Sequence, residues 1–462
     1  MSLYTHFVST LLFPAHEALK RHDSVAIRRA LESSQWWSPQ QLRDHQLERL
    51  KRLLRRAKEQ VPYYRDLLAG IDFESWRDTA ELARLPFLTK PIISQNLERM
   101  KAGDAVGLSR FNTGGSTGKP LIFYIGRERV SHDVAAKWRA TRWWNVDIGD
   151  PEIVVWGSPV ELGSQDRIRE WRDRLLRTRL IPAFEMSPAN LDRFVAEIRR
   201  FRPRMLFGYP SSLSRIAAHA RDKGVRMDDL GIRVVFVTSE RLYDEQREML
   251  QAVFGCPVAN GYGGRDAGFI AHQCPQGGMH ITAEDIIVEI VGDDGRPLPP
   301  GAAGEVVVTH LATGDFPFIR YRTGDVAVLS ERSCSCGRGL PLLEEIQGRT
   351  TDFIVARDGT VMHGLALIYV LRDLQGIAQF KIIQHDLDET TVQIVRGDDY
   401  DPGSEREIVA EFRKRLGEEV NIRIEYPEEI AAERSGKFRY VVSHVGNPSG
   451  STDDHEQVEH TG

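Results

Sequence analysis

No run of apolar residues in this sequence reaches the roughly 18 that a membrane-spanning helix needs. The opening stretch "MSLYTHFVSTLLFPAHEALKRHD" has a short apolar patch but no basic lead and no small-residue cleavage site. Cysteine is scarce: 4 among 462 residues are too few for a disulfide scaffold. That scarcity fits a reducing, cytoplasmic setting and leaves the cysteine spacing free for another use. Neither sign of charge dominates, with 61 basic against 66 acidic residues and a net charge of -5. No overall field therefore draws the chain to nucleic acid or an anionic membrane, and neither is expected as a partner. The stretch 447–462, "NPSGSTDDHEQVEHTG", has no aromatic residue and is expected to be disordered.

What is present is an α/β pattern long enough for more than one domain. Leucines at helical spacing in "SPQQLRDHQLERLKRLLRRAKEQVPYYRDLL" predict an amphipathic helical lead-in, its "LKRLLRRAK" cluster a solvated face. Strand-like runs then alternate with helical stretches: "LIFYIG", "EIVVWGSP", "PRMLFGYP" and "IRVVFVTSE". Beyond residue 285, "IIVEIV", "EVVVTHL" and "DVAVL" predict a β-rich subdomain. After residue 348 the pattern becomes a small α+β unit: a hairpin in "DFIVARDGTVMHG", a strand pair in "AQFKIIQHDLDETTVQIVR", a helix in "SEREIVAEFRKRLGEEV" and a final strand in "NIRIEYP".

The stretch "FNTGGSTGKP", residues 111–120, puts three glycines, three hydroxyls and a lysine where little side-chain bulk intervenes. Glycines permit close backbone approach, and N–H groups, hydroxyls and lysine suit anionic oxygens, so a phosphate chain is the natural guest. A flexible connector remains the alternative, because Pro120 after Lys119 breaks the P-loop NTPase pattern.

Downstream come "NGYGGRDAG" (260–268), "YRTGD" (321–325), "GRTTDFI" (348–354) and "ERSGKFR" (433–439). In this order and at these separations the set resembles the adenylate-forming superfamily of acyl-CoA synthetases, over about residues 47–443. "LERLKRLLRRAKEQVPYYRDLL", "LPFLTK", "FGYPSSL" and "GYGGRDAGFIAHQC" look like its phenylacetate-CoA ligase branch and the related CapK-type proteins of capsular polysaccharide synthesis. The resemblance implies an adenylation domain over 1–348, with residues 1–80 as helical lead-in, a small mobile α+β lid over 349–446, and the tail.

It also implies the reaction: a carboxylate attacks the α-phosphate of ATP, pyrophosphate leaves, and the acyl-AMP passes to coenzyme A. An amine or other small acceptor, and a non-catalytic nucleotide-binding homologue, are the alternatives. By resemblance, Thr113, Gly114, Gly115, Ser116, Thr117, Gly118 and Lys119 cradle the β- and γ-phosphates. Ser239 and Glu240 line the adenine pocket, Tyr262 stacks on the purine, and Asp325 accepts from the ribose hydroxyls, with Arg349 close by. Asp352 is the hinge, and Lys437 enters the site for the first half-reaction. Asp266 stands where the family usually has glutamate as magnesium ligand, one methylene shorter. Taken singly, Asp325 as a turn cap, Arg349 in a surface ion pair and Lys437 as a solvated lysine are the alternatives.

Trp156, Phe207, Tyr209 and Pro210 are candidates for an acid-binding wall, although such residues at strand ends are equally often core. Cys274 with His280, and Cys334 with Cys336, form two local pairs whose combined donors suit tetrahedral structural zinc, with ordinary reduced cysteines as the alternative. Cys256 is expected in the core, and His272 and His310 are assigned no role. The expected partners are a small carboxylic acid and coenzyme A or an amine, and the expected state is a monomer or homodimer.

Overall fold

The computed structural model describes residues 2–112, 121–156, 166–182, 186–240, 242, 244–292, 294–347, 353–397, 399–428, 430 and 441–445, and the structural statements below concern these. Ser38 opens the lead-in helix Pro39–Gln60 with a capping box: its side chain accepts from the backbone of Gln41, whose side chain reaches back. Leu42, Leu50, Leu53, Leu54 and Ala57 form the buried stripe, and the helix stops at extended Val61, the residue before Pro62. The basic cluster is only partly a solvated face, because Arg56 donates to Asp104 and Asp315.

The centre of the molecule is an 11-stranded sheet. Five of its strands run parallel in the spatial order Thr178–Pro182, Glu152–Trp156, Met205–Gly208, Val234–Thr238 and Val258–Gly264. Their side chains alternate between two cores. Ile153, Val155, Leu206, Val235 and Val237 pack with the helices Pro188–Phe201, Pro210–Asp222 and Asp244–Phe254, while Phe207, Val234 and Phe236 face the helix Arg127–Trp143. Burial on both faces explains why these segments read as continuous apolar runs.

From Val258–Gly264 onward the sheet turns antiparallel, through Gly268–Gln273, Met279–Ile281, Leu342–Gln347, Tyr321–Leu329, Ala303–His310 and Ile286–Val291. The β-rich stretch thus extends the same sheet; hydrogen-bonding edges match wherever strands meet, and sequence spacing does not record which edges do.

The C-terminal part has its own core, drawn only from residues 354 to 441, with Leu367, Phe380, Ile382, Ile394 and Phe412 at its centre. Its four-stranded sheet runs Asn421–Glu425, Glu389–Arg396, Ile377–Gln384, Val441–Ser443. The expected hairpin is present as Phe353–Val355 with Val361–His363. "NIRIEYP" is not the last strand: Val441–Ser443 follows, parallel to Ile377–Gln384, and three residues are too few to show a period of two.

Candidate functional site

The candidate residues gather where the parallel strands end. Val234–Thr238 runs into Ser239, which takes φ 74°, a left-handed conformation that costs a non-glycine residue strain. Glu240 follows and accepts from the backbone N–H of Ser211 at 3.4 Å. Tyr209 and Pro210 join the end of Met205–Gly208 to the next helix. Trp156, at the end of its own strand, stacks on Tyr209 with centroids 4.4 Å apart and on Phe207 at 6.2 Å. Three of the four proposed wall residues, Trp156, Phe207 and Tyr209, are therefore one aromatic group, with Pro210 next in the chain and Lys137 over the Phe207 ring at 4.2 Å. Burial, then the Glu240 carboxylate, pushes the Tyr209 hydroxyl well above its ordinary value, so it stays protonated.

Two tyrosine–carboxylate pairs connect motifs far apart in the chain. Tyr262 donates to Asp325 Oδ2 at 3.1 Å. Tyr321, wholly buried, donates to Asp266 Oδ2 at 2.6 Å. Thr323 Oγ1 accepts from the Asp325 backbone N–H and donates to the Val306 carbonyl, which fixes the turn carrying Asp325. Asp266 Oδ1 accepts from the backbone N–H of Ala267 at 3.1 Å. A magnesium ion fits a carboxylate presented in this way, because Mg²⁺ keeps much of its water and takes one or two carboxylates.

Behind Asp266 lies a buried charged group that no sequence motif signalled. Arg129 donates to the carbonyls of Arg265 and Asp266 at 3.2 and 3.4 Å and to Asp133 Oδ2 at 2.8 Å. His310 Nε2 stands 3.7 Å from Asp133 Oδ1. Burial alone would raise the Asp133 carboxyl, but Arg129 and His310 overcome it and hold the group below the usual range. Burial and Arg129 push His310 down to about 4, against the opposing pull of Asp133. Gly268 has φ +87°, and a Cβ there would lie 2.7 Å from the His310 ring, so only glycine closes the turn over this group. Tyr321 lies inside a motif quoted for its aspartate; Arg129 and Asp133 lie on a helix whose sequence offered no signal.

Thr113, Gly114, Gly115, Ser116, Thr117, Gly118 and Lys119, with Arg349, Asp352 and Lys437, lie outside the described residues. The strands Ser109–Asn112 and Ile122–Ile125 that flank the glycine-rich segment pair antiparallel, Asn112 opposite Ile122. Phe123 of the second packs on Phe318, which in turn packs on Tyr321, so the base of that segment adjoins the Asp266 group.

Cys274, His280, Cys334 and Cys336 come together with their donor atoms all within 4.8 Å of one another. Cys274 and Cys334 sulfurs stand 3.6 Å apart, too far for a disulfide, and Cys336 Sγ lies 3.2 Å from His280 Nε2. His280 Nδ1 contacts the Leu340 carbonyl, which leaves Nε2 toward the thiols, and burial lowers the ring to about 4. Gly278 is required beside the cluster, since a Cβ there would lie 2.6 Å from Cys334 Sγ. Three sulfurs and one imidazole in this space fit a closed tetrahedral zinc site. Cys256 is in the core beneath the sheet, its thiol pushed up to about 12 by burial.

The fold is that of adenylate-forming CoA ligases. A crystal structure of 2-hydroxyisobutyryl-CoA ligase in complex with 2-HIB-AMP and CoA, in the thioesterification state, superposes with TM-score 0.63 at 21% identity, covering 88% of this chain and 91% of that one. The same ligase in its postadenylation state with R3-HIB-AMP gives 0.58 at 20%, covering 88% and 90%. Residues 176–313 match the AMP-binding enzyme family and residues 354–444 match the CapK C-terminal domain. Over these two stretches the chain is similar to the adenylate-forming superfamily. Its relatives include Protein CapK of Staphylococcus aureus, 24% identical over 87% of this chain and 89% of that one. Phenylacetate-coenzyme A ligase of Thermus thermophilus is 26% identical over 82% and 84%, and that of Pseudomonas putida 26% over 87% and 92%.

Proposed function

We propose that this chain is an AMP-forming acid–thiol ligase that activates a carboxylic acid as acyl-AMP, releases pyrophosphate, and transfers the acyl group to coenzyme A. The observation that carries the reading is the convergence of Tyr262–Asp325 and Tyr321–Asp266 at the ends of the parallel strands. Asp325 is the ribose acceptor, Tyr262 the purine platform, and Ser239 and Glu240 the adenine wall. Lys119 with the hydroxyls and N–H groups of 113–118 neutralises the departing pyrophosphate. Asp266 holds magnesium, which supplies charge neutralisation on the phosphates when bound. Arg349 stands by the ribose and α-phosphate, Asp352 is the hinge between 1–348 and 349–446, and Lys437 offsets charge on the α-phosphate. The aromatic group around Trp156 favours an aryl or otherwise flat acid.

Cys274, His280, Cys334 and Cys336 hold a structural zinc, and the free cysteines accord with a cytoplasmic location. Incubation of the pure protein with ATP, Mg²⁺ and a panel of acids, with and without coenzyme A, tests the reading by product mass. AMP with an acyl-CoA is the expected outcome. Acyl-AMP without a thioester moves the acceptor to an amine, and ADP with phosphate, or no turnover, overturns it.

A further inference from the structure

Nine large apolar side chains stand exposed among the described residues, and seven of them lie on two helical segments that touch. Residues Leu3–Leu19 form one continuous helical rod, α-helical at both ends with a π-helical stretch at Val8–Leu12. Its inner face buries Thr5, Val8, Ser9, Phe13 and Glu17. Its outer face presents Leu3, Phe7 and Leu11 at 92, 48 and 61% exposure, with Leu19 at 86%. The helix Asp166–Leu176 presents Trp171 and Leu175, four residues apart on one face, at 67 and 43%. Tyr4 joins the two, donating its hydroxyl to the Leu175 carbonyl at 2.9 Å while the Arg177 guanidinium stands 5.4 Å from its ring centroid. Soluble proteins rarely leave so many large apolar groups together in water.

Among the described residues the exposed charges around this face are mostly basic. Between residues 2 and 23 the acidic residues are Glu17, buried at 3% exposure and bonded to Ser24, His16 and His22, and Asp23, exposed. Lys20 and Arg21 are exposed. On the other helix, within residues 171–176, Arg172 donates to Asp173 and Arg174 is exposed at the last turn. Leucine, phenylalanine and tryptophan on one face with arginine and lysine at its margin is the composition of helices that lie in a lipid interface. A second copy is the poorer occupant: a two-fold interface brings each patch against itself, so the basic margin would face a basic margin. An anionic surface meets the same margin with attraction.

We propose that the Leu3–Leu19 rod and the Asp166–Leu176 helix form a docking face for an anionic lipid bilayer, on which the protein rests peripherally. The balanced charge of the whole chain hides this, since it averages the basic margin against acids elsewhere. The test is co-flotation of the full-length protein with vesicles of phosphatidylcholine alone and of phosphatidylcholine with phosphatidylglycerol. Binding is expected to the second and not the first, and to fall as salt is raised. The Leu3→Ser, Phe7→Ser, Leu11→Ser triple variant and, separately, the Trp171→Ser, Leu175→Ser double variant should each lower the bound fraction about tenfold. Thermal midpoints within a degree or two of the parent would separate this loss from unfolding. Absence of binding to anionic vesicles overturns the proposal, as does full binding by both variants. Sedimentation of the parent as a dimer that these variants convert to monomer would also overturn it, by making the face a self-interface.

Discussion

Tyr321 carries no charge, yet its hydroxyl fixes the direction of the one carboxylate assigned to magnesium. A hydrogen bond to a charged group contributes about 1.5–3 kcal/mol net. Tyr321→Phe is therefore expected to lower kcat for acid-dependent AMP formation about tenfold and to raise the Mg²⁺ concentration giving half-maximal rate. An unchanged magnesium dependence would separate Tyr321 from the work of Asp266. His272 makes a prediction of a different kind. Both ring nitrogens are buried and have no hydrogen-bond partner among the described residues, and burial, then Arg139, depresses the ring to about 3. Below pH about 6.5 the unfolded chain takes up a proton that the folded chain refuses, so stability falls as pH drops toward 3. His310 adds the same effect down to about 4. His272→Leu should then raise the urea midpoint, by more at pH 5 than at pH 7; an equal gain at both would assign the acid sensitivity elsewhere. Asp266, Asp325 and Tyr262 were legible at this scale because short motifs name them. Arg129, Asp133 and His310 were not, because an Arg and an Asp four residues apart on a helix are common, and only folding brings His310 and the Asp266 carbonyl to them.

The Cys/His cluster is where single elements depend on one another. Cys274 and His280 close the hairpin between Gly268–Gln273 and Met279–Ile281, and Cys334 and Cys336 sit in the loop before Leu342–Gln347, which pairs with Met279–Ile281. Zinc would fix that loop to the hairpin, and Gly339 carries the constraint to the end of the helix Ser24–Ser34 by donating to the Gln35 carbonyl at 3.0 Å. Metal analysis of the purified protein should give about one zinc per chain. Cys336→Ser, or chelation, should lower the thermal midpoint by several degrees, the consequence of losing a few kcal/mol in a chain of this size. An unaltered midpoint in a zinc-free protein would leave these as ordinary thiols. Cys-x-Cys and Cys…His are weak signals separately, and pairing of two strands distant in sequence makes them one site.

At the scale of the whole molecule, the core of residues 354–441 is separate from the clusters that flank the large sheet. Such a division suits a small domain that turns on a hinge between half-reactions. Lys437→Ala should abolish acid-dependent pyrophosphate release while leaving transfer from supplied acyl-AMP to coenzyme A largely intact. Equal loss of both steps would remove Lys437 from the first half-reaction.

Local chemistry determined what the sequence alone could tell: apolar runs of strand length, a capping box at Ser38, glycines where backbone must pass close, and ordered motifs naming a family. These depend on neighbours within a few residues, so they survive in one dimension. The tertiary structure decided the rest. It joined the β-rich stretch to the parallel strands in one sheet, set Tyr321 against Asp266 and two cysteine pairs against each other, and placed the exposed faces of two helices side by side. Each of these depends on which strand edges and helix faces meet, and that is settled by burial across the whole chain.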